Sequence, residues 1–255
     1  QMCIRDRLMI VLQVILSGLL LGGIYALMGM GLSLIFGILR IANFAQGEFY
    51  TIGAYLCFLC LLIGLDPFLA IIVSALGAFI LGAIIEKVCI ASLRKMGGRE
   101  WLLDAFVLTL GLSIILQNLL LIIFGAEYRG VPYLWPGTIS FLGVHLTLER
   151  AIILTLITLT GIIFWFFIKK TDTGKAIRAV AQNAQSAKAL GINVEFIYTL
   201  TFGLGAVLSG IAGALLLPIV TVYPTAGYLP LLKGFTVVIL GGLGSIKGAV
   251  VGGII

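Results

Sequence analysis

Long apolar runs with few charges, parted by short polar breaks, constrain this chain more than any other feature. Leu8 to Leu39 is apolar for longer than the roughly 20 residues that one bilayer crossing needs. Further runs follow at Tyr50 to Leu65, Phe68 to Leu93, Ala105 to Phe124, Ala151 to Ile168, Phe196 to Leu217 and Phe235 to Ile255. In hydrocarbon every backbone N–H and C=O must be satisfied within the protein, so such runs imply helices. With 61% hydrophobic and 10% charged residues and a mean hydropathy of +1.23, no water-soluble reading survives. The expected fold is all-α: a polytopic transmembrane helix bundle with Gly-rich broken or re-entrant segments. Residues 8–255 read as a single membrane-spanning domain, preceded by a polar tail, 1–7, of uncertain origin that matches no secretory signal. The last run stops at Ile255 without a polar tail, so the chain reads as truncated at its C-terminus.

The net charge of +6 could elsewhere suggest nucleic acid, but here the basic residues gather in loops. Arg94, Lys95 and Arg99 follow the third run, and Lys169, Lys170, Lys175, Arg178 and Lys188 follow the fifth, which puts both loops in the cytoplasm. Gly125 to Arg150 carries only two basic residues, Arg129 and Arg150, and is assigned to the outside. His145, the one histidine of the chain, lies there, which suits a surface residue better than a ligand or catalyst. Six glycines, Gly18, Gly22, Gly23, Gly29, Gly31 and Gly37, interrupt the first run. They leave open one tilted span with a short half-helix, or two closely spaced spans, and hence the side on which the chain starts.

Polar side chains inside the apolar regions are the candidates for function. RIANFAQGEFY, Arg40 to Tyr50, places Asn43, Gln46 and Glu48 around Gly47. Such breaks at membrane depth are tolerated where they face protein or a water-filled cavity. They read as a lining or gate of a translocation pathway, against the plainer reading of an interfacial turn. Gln117 and Asn118 join them as candidates from the fourth run. Glu86, two turns from the basic cluster, fits a structural ion pair at least as well as a functional role. Cys57 and Cys60 form a CxxC within an apolar run, without partners for metal or redox chemistry, and read as small packing residues.

Between the fifth and sixth runs lies a polar insert, KKTDTGKAIRAVAQNAQSAKALGIN, Lys169 to Asn193. Asp172 and Thr173 are candidate N-caps, and Gly191 is a helix stop. Ile177, Val180, Ala181, Ala184, Ala187 and Leu190 recur at helical spacing, which predicts one extramembrane helix roughly 25 Å long with a narrow apolar stripe. The stripe suits either close approach to another protein or packing on its own polypeptide. Near the end, GGLGSIKGAVVGG completes neither GxGxxG nor GxxxxGK[ST]. It reads as close helix packing or a re-entrant turn.

FGILRIANFAQGEFYTIGAY at Phe36 to Tyr55, the TDTGKAIRAVAQNAQSAKALGIN insert and VILGGLGSIKGAVVGG at Val238 to Gly253 together resemble the inner-membrane permease subunits of ABC importers for branched-chain amino acids. The resemblance runs from about Leu8 to Ile255. One departure is Gln46, where many relatives have His, and at least one further span of the family pattern is absent.

The resemblance implies a multi-pass protein of the cytoplasmic (inner) membrane of a prokaryote, a transport subunit and not an enzyme. It would work by alternating access with a second homologous permease subunit, cytoplasmic ATP-binding-cassette subunits and an external substrate-binding protein. ATP would be bound by the partner subunits, and no cofactor, metal or nucleic acid is implied for this chain. The insert would be the cytoplasmic coupling helix that docks on the ATPase, through Gly174, Arg178, Ala181, Ala187, Leu190 and Gly191. Asn43, Gln46, Gly47, Glu48, Gln117 and Asn118 would contribute to the pathway or gate. The alternatives are a permease for urea or short amides in the same superfamily, or an ion-coupled secondary transporter. The latter usually needs ionisable groups well within the spans.

Overall fold

The computed structural model describes residues 2–96, 101–132, 134–135, 137–141 and 144–255. Gln1 of the tail and Arg99 of the inner loop lie outside them, as does the side chain of His145. Helix α1, Met2–Leu39, is one uninterrupted helix that takes in the rest of the tail. Its glycines do not split the run into two spans, because several face neighbouring backbones: Gly31 abuts Gly205 and Gly37 abuts Gly244. The helix ends where Arg40 adopts φ 58° and its N–H bonds the Phe36 carbonyl at 2.9 Å.

After a six-residue break, 40–45, α2 covers Gln46–Leu62, so the polar cluster occupies its entry and first turn. Asp66 then caps α3, Pro67–Ile85, by accepting from the Phe68 N–H, with Pro67 at the first helical position. A π-helical turn, Glu86–Ile90, joins α3 to α4, Ala91–Met96. Helix α5 is Trp101–Phe124. Beyond it a small antiparallel hairpin, β1 Thr138–Phe141 and β2 Val144–Thr147, pairs His145 with Ser140 in the outer loop. Helix α6, Leu148–Lys170, leads into α7, Asp172–Gln182, and α8, Ala184–Ala189. Helix α9 is Val194–Leu216. Last come α10, Tyr228–Gly241, and α11, Ile246–Ile254.

Among the described residues, five helices are long and apolar enough to cross a membrane, or six if α10 and α11, bent by 114°, form one broken span. The bend needs Gly242 and Gly244 at φ 91° and 83°, a conformation that glycine adopts without steric cost. Arg150, at the outer end of α6, donates to the Ser17 hydroxyl at 3.2 Å. The N-terminal part of α1 therefore lies at the same end of the bundle as the start of α6, opposite the basic insert.

Helix α9 is the centre of the bundle and packs on α1, α2 and α3. Phe202, Ala206, Leu208, Ala212 and Leu215 are buried along it. Its small residues let backbones touch: a Cβ on Gly213 would strike the Tyr50 carbonyl. Cys57 and Cys60 are buried among Tyr55, Phe58, Ala70, Leu120 and Leu217, as packing residues. Helices α5 and α6 lie outermost, exposing Val107, Ile114, Ile122, Ile162 and Phe166.

Candidate functional site

The break before α2 is built from side chains that replace missing backbone partners. Asn43 accepts from the Ala45 N–H at 3.1 Å, closing a local turn, and its amide donates to Gln46 Oε1 at 3.1 Å. Gln46 Nε2 donates in turn to the Gly205 carbonyl at 2.7 Å and to the Ser209 hydroxyl at 2.6 Å. Asn43 and Gln46 are buried, and their amides tie the start of α2 to the middle of α9. From α5, the Thr109 hydroxyl accepts from the Phe44 N–H at 3.3 Å and lies 3.2 Å from the Ala42 carbonyl. Four residues on, Ser113 donates to Glu48 Oε1 at 3.1 Å. Glu48 is 4% exposed, and its Oε2 has no hydrogen-bond partner among the described residues. Gly47 lets the Gly227 backbone approach closely.

One aromatic side chain covers this knot. Phe44 lies edge-on to Phe106 of α5 at 5.0 Å and tilted against Phe235 of α10 at 4.9 Å. It thereby bridges two helices over the break. The sequence candidates Asn43, Gln46, Gly47 and Glu48 thus come together. Gln117 is half-buried higher on α5, whereas Asn118 is exposed and bonds back to the Ile114 carbonyl of its own helix at 2.8 Å. Thr109, Ser113 and Ser209 were not singled out from sequence. The only available signal was the i, i+4 spacing of two hydroxyls within an apolar run.

The basic insert departs from a single helix. Asn183, at φ −157° and ψ 107°, ends α7 and caps α8 by accepting from the Ser186 N–H. The first cap is Thr171, which accepts from the Gly174 N–H at 3.0 Å. It displaces Asp172 and Thr173 into the first turn, where a hydrogen bond from Lys175, and then its charge, hold the Asp172 carboxyl below the usual range. Gly191 takes the left-handed conformation of a helix stop, at φ 83°.

The apolar stripe is occupied by the protein's own body. Ile177, Val180 and Ala187 are buried in the main core, and Gly174 packs on the Phe167 and Ile168 carbonyls at the end of α6. Arg178 donates to that same Ile168 carbonyl. The insert is amphipathic toward its own bundle, so the face free for a partner is the opposite one. That face carries Lys175, Arg178, Gln185, Lys188 and Gly191, with Leu190 81% exposed at its tip and Ala181 at its half-buried edge.

Next to the insert, Glu86 is fully buried and accepts from both terminal nitrogens of Arg94 at 3.1 Å. The structural ion pair suggested by the sequence is present. Arg94 also meets Glu195 of α9 at 2.5 Å and lies 4.3 Å over the Tyr198 ring.

A broken helix pair, a buried polar knot at the break before α2 and a basic insert between α6 and α9 define a multi-pass helical membrane protein. Comparison with known proteins narrows this class. The chain belongs to the family described as branched-chain amino acid transport system / permease component, which matches residues 14–255. It is 34% identical to the high-affinity branched-chain amino acid transport system permease protein BraD of Pseudomonas aeruginosa, over 96% of this chain and 83% of that one. It is 32% identical to the corresponding permease protein LivH of Escherichia coli, over 98% and 85%. A galactofuranose transporter permease protein of Escherichia coli, YtfT, is 30% identical over 56% of this chain and 39% of its own. No solved structure matches.

Proposed function

We propose that this chain is the transmembrane permease subunit of an ATP-driven importer that moves branched-chain or similar aliphatic amino acids across the inner membrane of a prokaryote. The observation that carries this reading is the family match over 14–255, supported by two amino-acid permeases that align with nearly the whole chain. The match to a sugar permease is much shorter. ATP would be bound and hydrolysed on separate cytoplasmic ATP-binding-cassette subunits. A second homologous permease subunit and an external binding protein would complete the assembly, with no cofactor on this chain.

In this reading α7 and α8 form the coupling element. Gly174 and Ala187 hold it against the bundle, and Arg178, Leu190 and Gly191, with Ala181 at the edge, meet the ATPase. Closure of the ATPase pair moves the insert and with it α9, to which the start of α2 is hydrogen-bonded. Alternating access then consists of rearrangement around the break at Asn43, Gln46, Gly47 and Glu48, with Phe44 as its cover and Gln117 further along α5.

The test is reconstitution of the full-length permease with its cognate ATPase, second permease and binding protein in proteoliposomes. Leucine uptake that requires ATP is the expected result. Uptake of urea or short amides in its place would move the substrate class, and uptake driven by an ion gradient without ATP would overturn the reading. A Lys188→Glu, Leu190→Arg variant changes only exposed side chains and should lose the ATPase on co-purification at equal membrane expression. Retention of the ATPase would remove α8 as the dock.

A further inference from the structure

Arg94 and Glu86 lie outside both the insert and the polar knot, yet they join the elements between them. Arg94 follows Glu86 by eight residues, so their pairing spans the π-helical turn Glu86–Ile90. Both terminal guanidinium nitrogens donate to one carboxylate oxygen at 3.1 Å. The other oxygen is taken by the Thr199 hydroxyl from the second turn of α9. Glu195 and Tyr198 of the same helix meet Arg94 at 2.5 Å and 4.3 Å. One buried carboxylate and one guanidinium thus fasten three consecutive elements, α3, the π turn and α4, to the base of α9.

That base is where the insert runs directly into the central helix. Between α8 and α9 lie only residues 190–193, with Asn193 capping α9 by accepting from the Phe196 N–H at 3.1 Å. From Val194 to Gly205 a helix rises roughly 16 Å, and at Gly205 the Gln46 amide ties α9 to the start of α2. The insert, α9 and the break are therefore connected in series, and the clamp braces α9 at its base. A π turn is a place where the regular helical ladder is already interrupted, and such turns are frequent at functional positions.

We propose that the Arg94–Glu86 clamp braces the base of α9 so that movement of the insert reaches the gate, with Arg94 and Glu86 as positioning residues. It holds the π turn, α4 and the base of α9 as one body, so that a push from the insert is carried up α9 to Gly205 and is not lost in the irregular π turn. The inference rests on the importer reading, because only there does the insert receive a push.

The experiment measures amino acid moved per ATP hydrolysed in the reconstituted full assembly. Glu195→Gln and Thr199→Val each remove one α9 contact while leaving the buried pair intact, which protects folding. The Glu86→Gln, Arg94→Gln double variant replaces the pair by two neutral amides that keep donors and acceptors in place. Each should retain ATPase co-purification and basal hydrolysis but move at least about fivefold less amino acid per ATP, the lower end of ordinary coupling effects. A transport-to-hydrolysis ratio within about twofold of the native value in all three would overturn the proposal, since a purely structural ion pair changes the amount of assembly and not this ratio. Failure of the native chain to show ATP-driven uptake would instead sink the importer reading, and the proposal with it.

Discussion

The side-chain amide of Gln46 donates to the backbone carbonyl of Gly205, 159 positions along the chain, at 2.7 Å. It fixes the first turn of α2 to the middle of the bundle's central helix. Replacing Gln46 by Leu leaves the Ser209 hydroxyl and the Asn43 amide without this partner and should destabilise the protein by about 1–3 kcal/mol. Gln46→His keeps a ring N–H for one of the two acceptors and should cost less. Thermal unfolding of the detergent-solubilised protein checks the order, at roughly 2–4 °C per kcal/mol for a chain of this size.

Thr109 carries the backbone of the break from the opposite side. Thr109→Val preserves shape but withdraws the hydroxyl from the Phe44 N–H and the Ala42 carbonyl, with an expected cost of about 1–3 kcal/mol. Thr109→Ser should stay close to native. A larger loss for Thr109→Ser than for Thr109→Val in the same unfolding assay would show that the methyl group, and not the hydrogen bonds, holds the break.

At Gly213 the approach of α2 and α9 leaves no room for a side chain, since a Cβ would meet the Tyr50 carbonyl. Gly213→Val should lower stability by about 1–3 kcal/mol through overpacking and reduce the folded fraction on size-exclusion chromatography. Gly18→Ala, where nothing lies within 4 Å of the added Cβ, is the matched control and should fold normally.

Arg40 holds a left-handed backbone, φ 58°, where a glycine would sit without steric cost. Arg40→Gly should be neutral or stabilising by up to about 1 kcal/mol, and Arg40→Val destabilising, because a β-branched side chain tolerates this region least. A gain from Arg40→Val in melting temperature would contradict the backbone assignment.

The apolar runs determined, without any structure, that this chain is a bundle of membrane helices, because hydrocarbon permits almost no other way to satisfy a backbone. The basic loops carried the expectation of which ends face the cytoplasm. The polar residues at Asn43, Gln46 and Glu48 marked the break for the same reason, since such groups at membrane depth need partners. Those partners are what only the tertiary structure decided. Gly205 and Ser209 belong to a helix more than 150 residues away from Gln46, and no local pattern announces a contact of that range. Tertiary packing also split the insert at Asn183 and turned its apolar stripe inward, because Ile177, Val180 and Ala187 lose more water by docking on the bundle than by waiting for a partner. The glycines of α1 show the same division. Their number was plain in the sequence, but whether they broke the helix or admitted its neighbours depended on what packed against them.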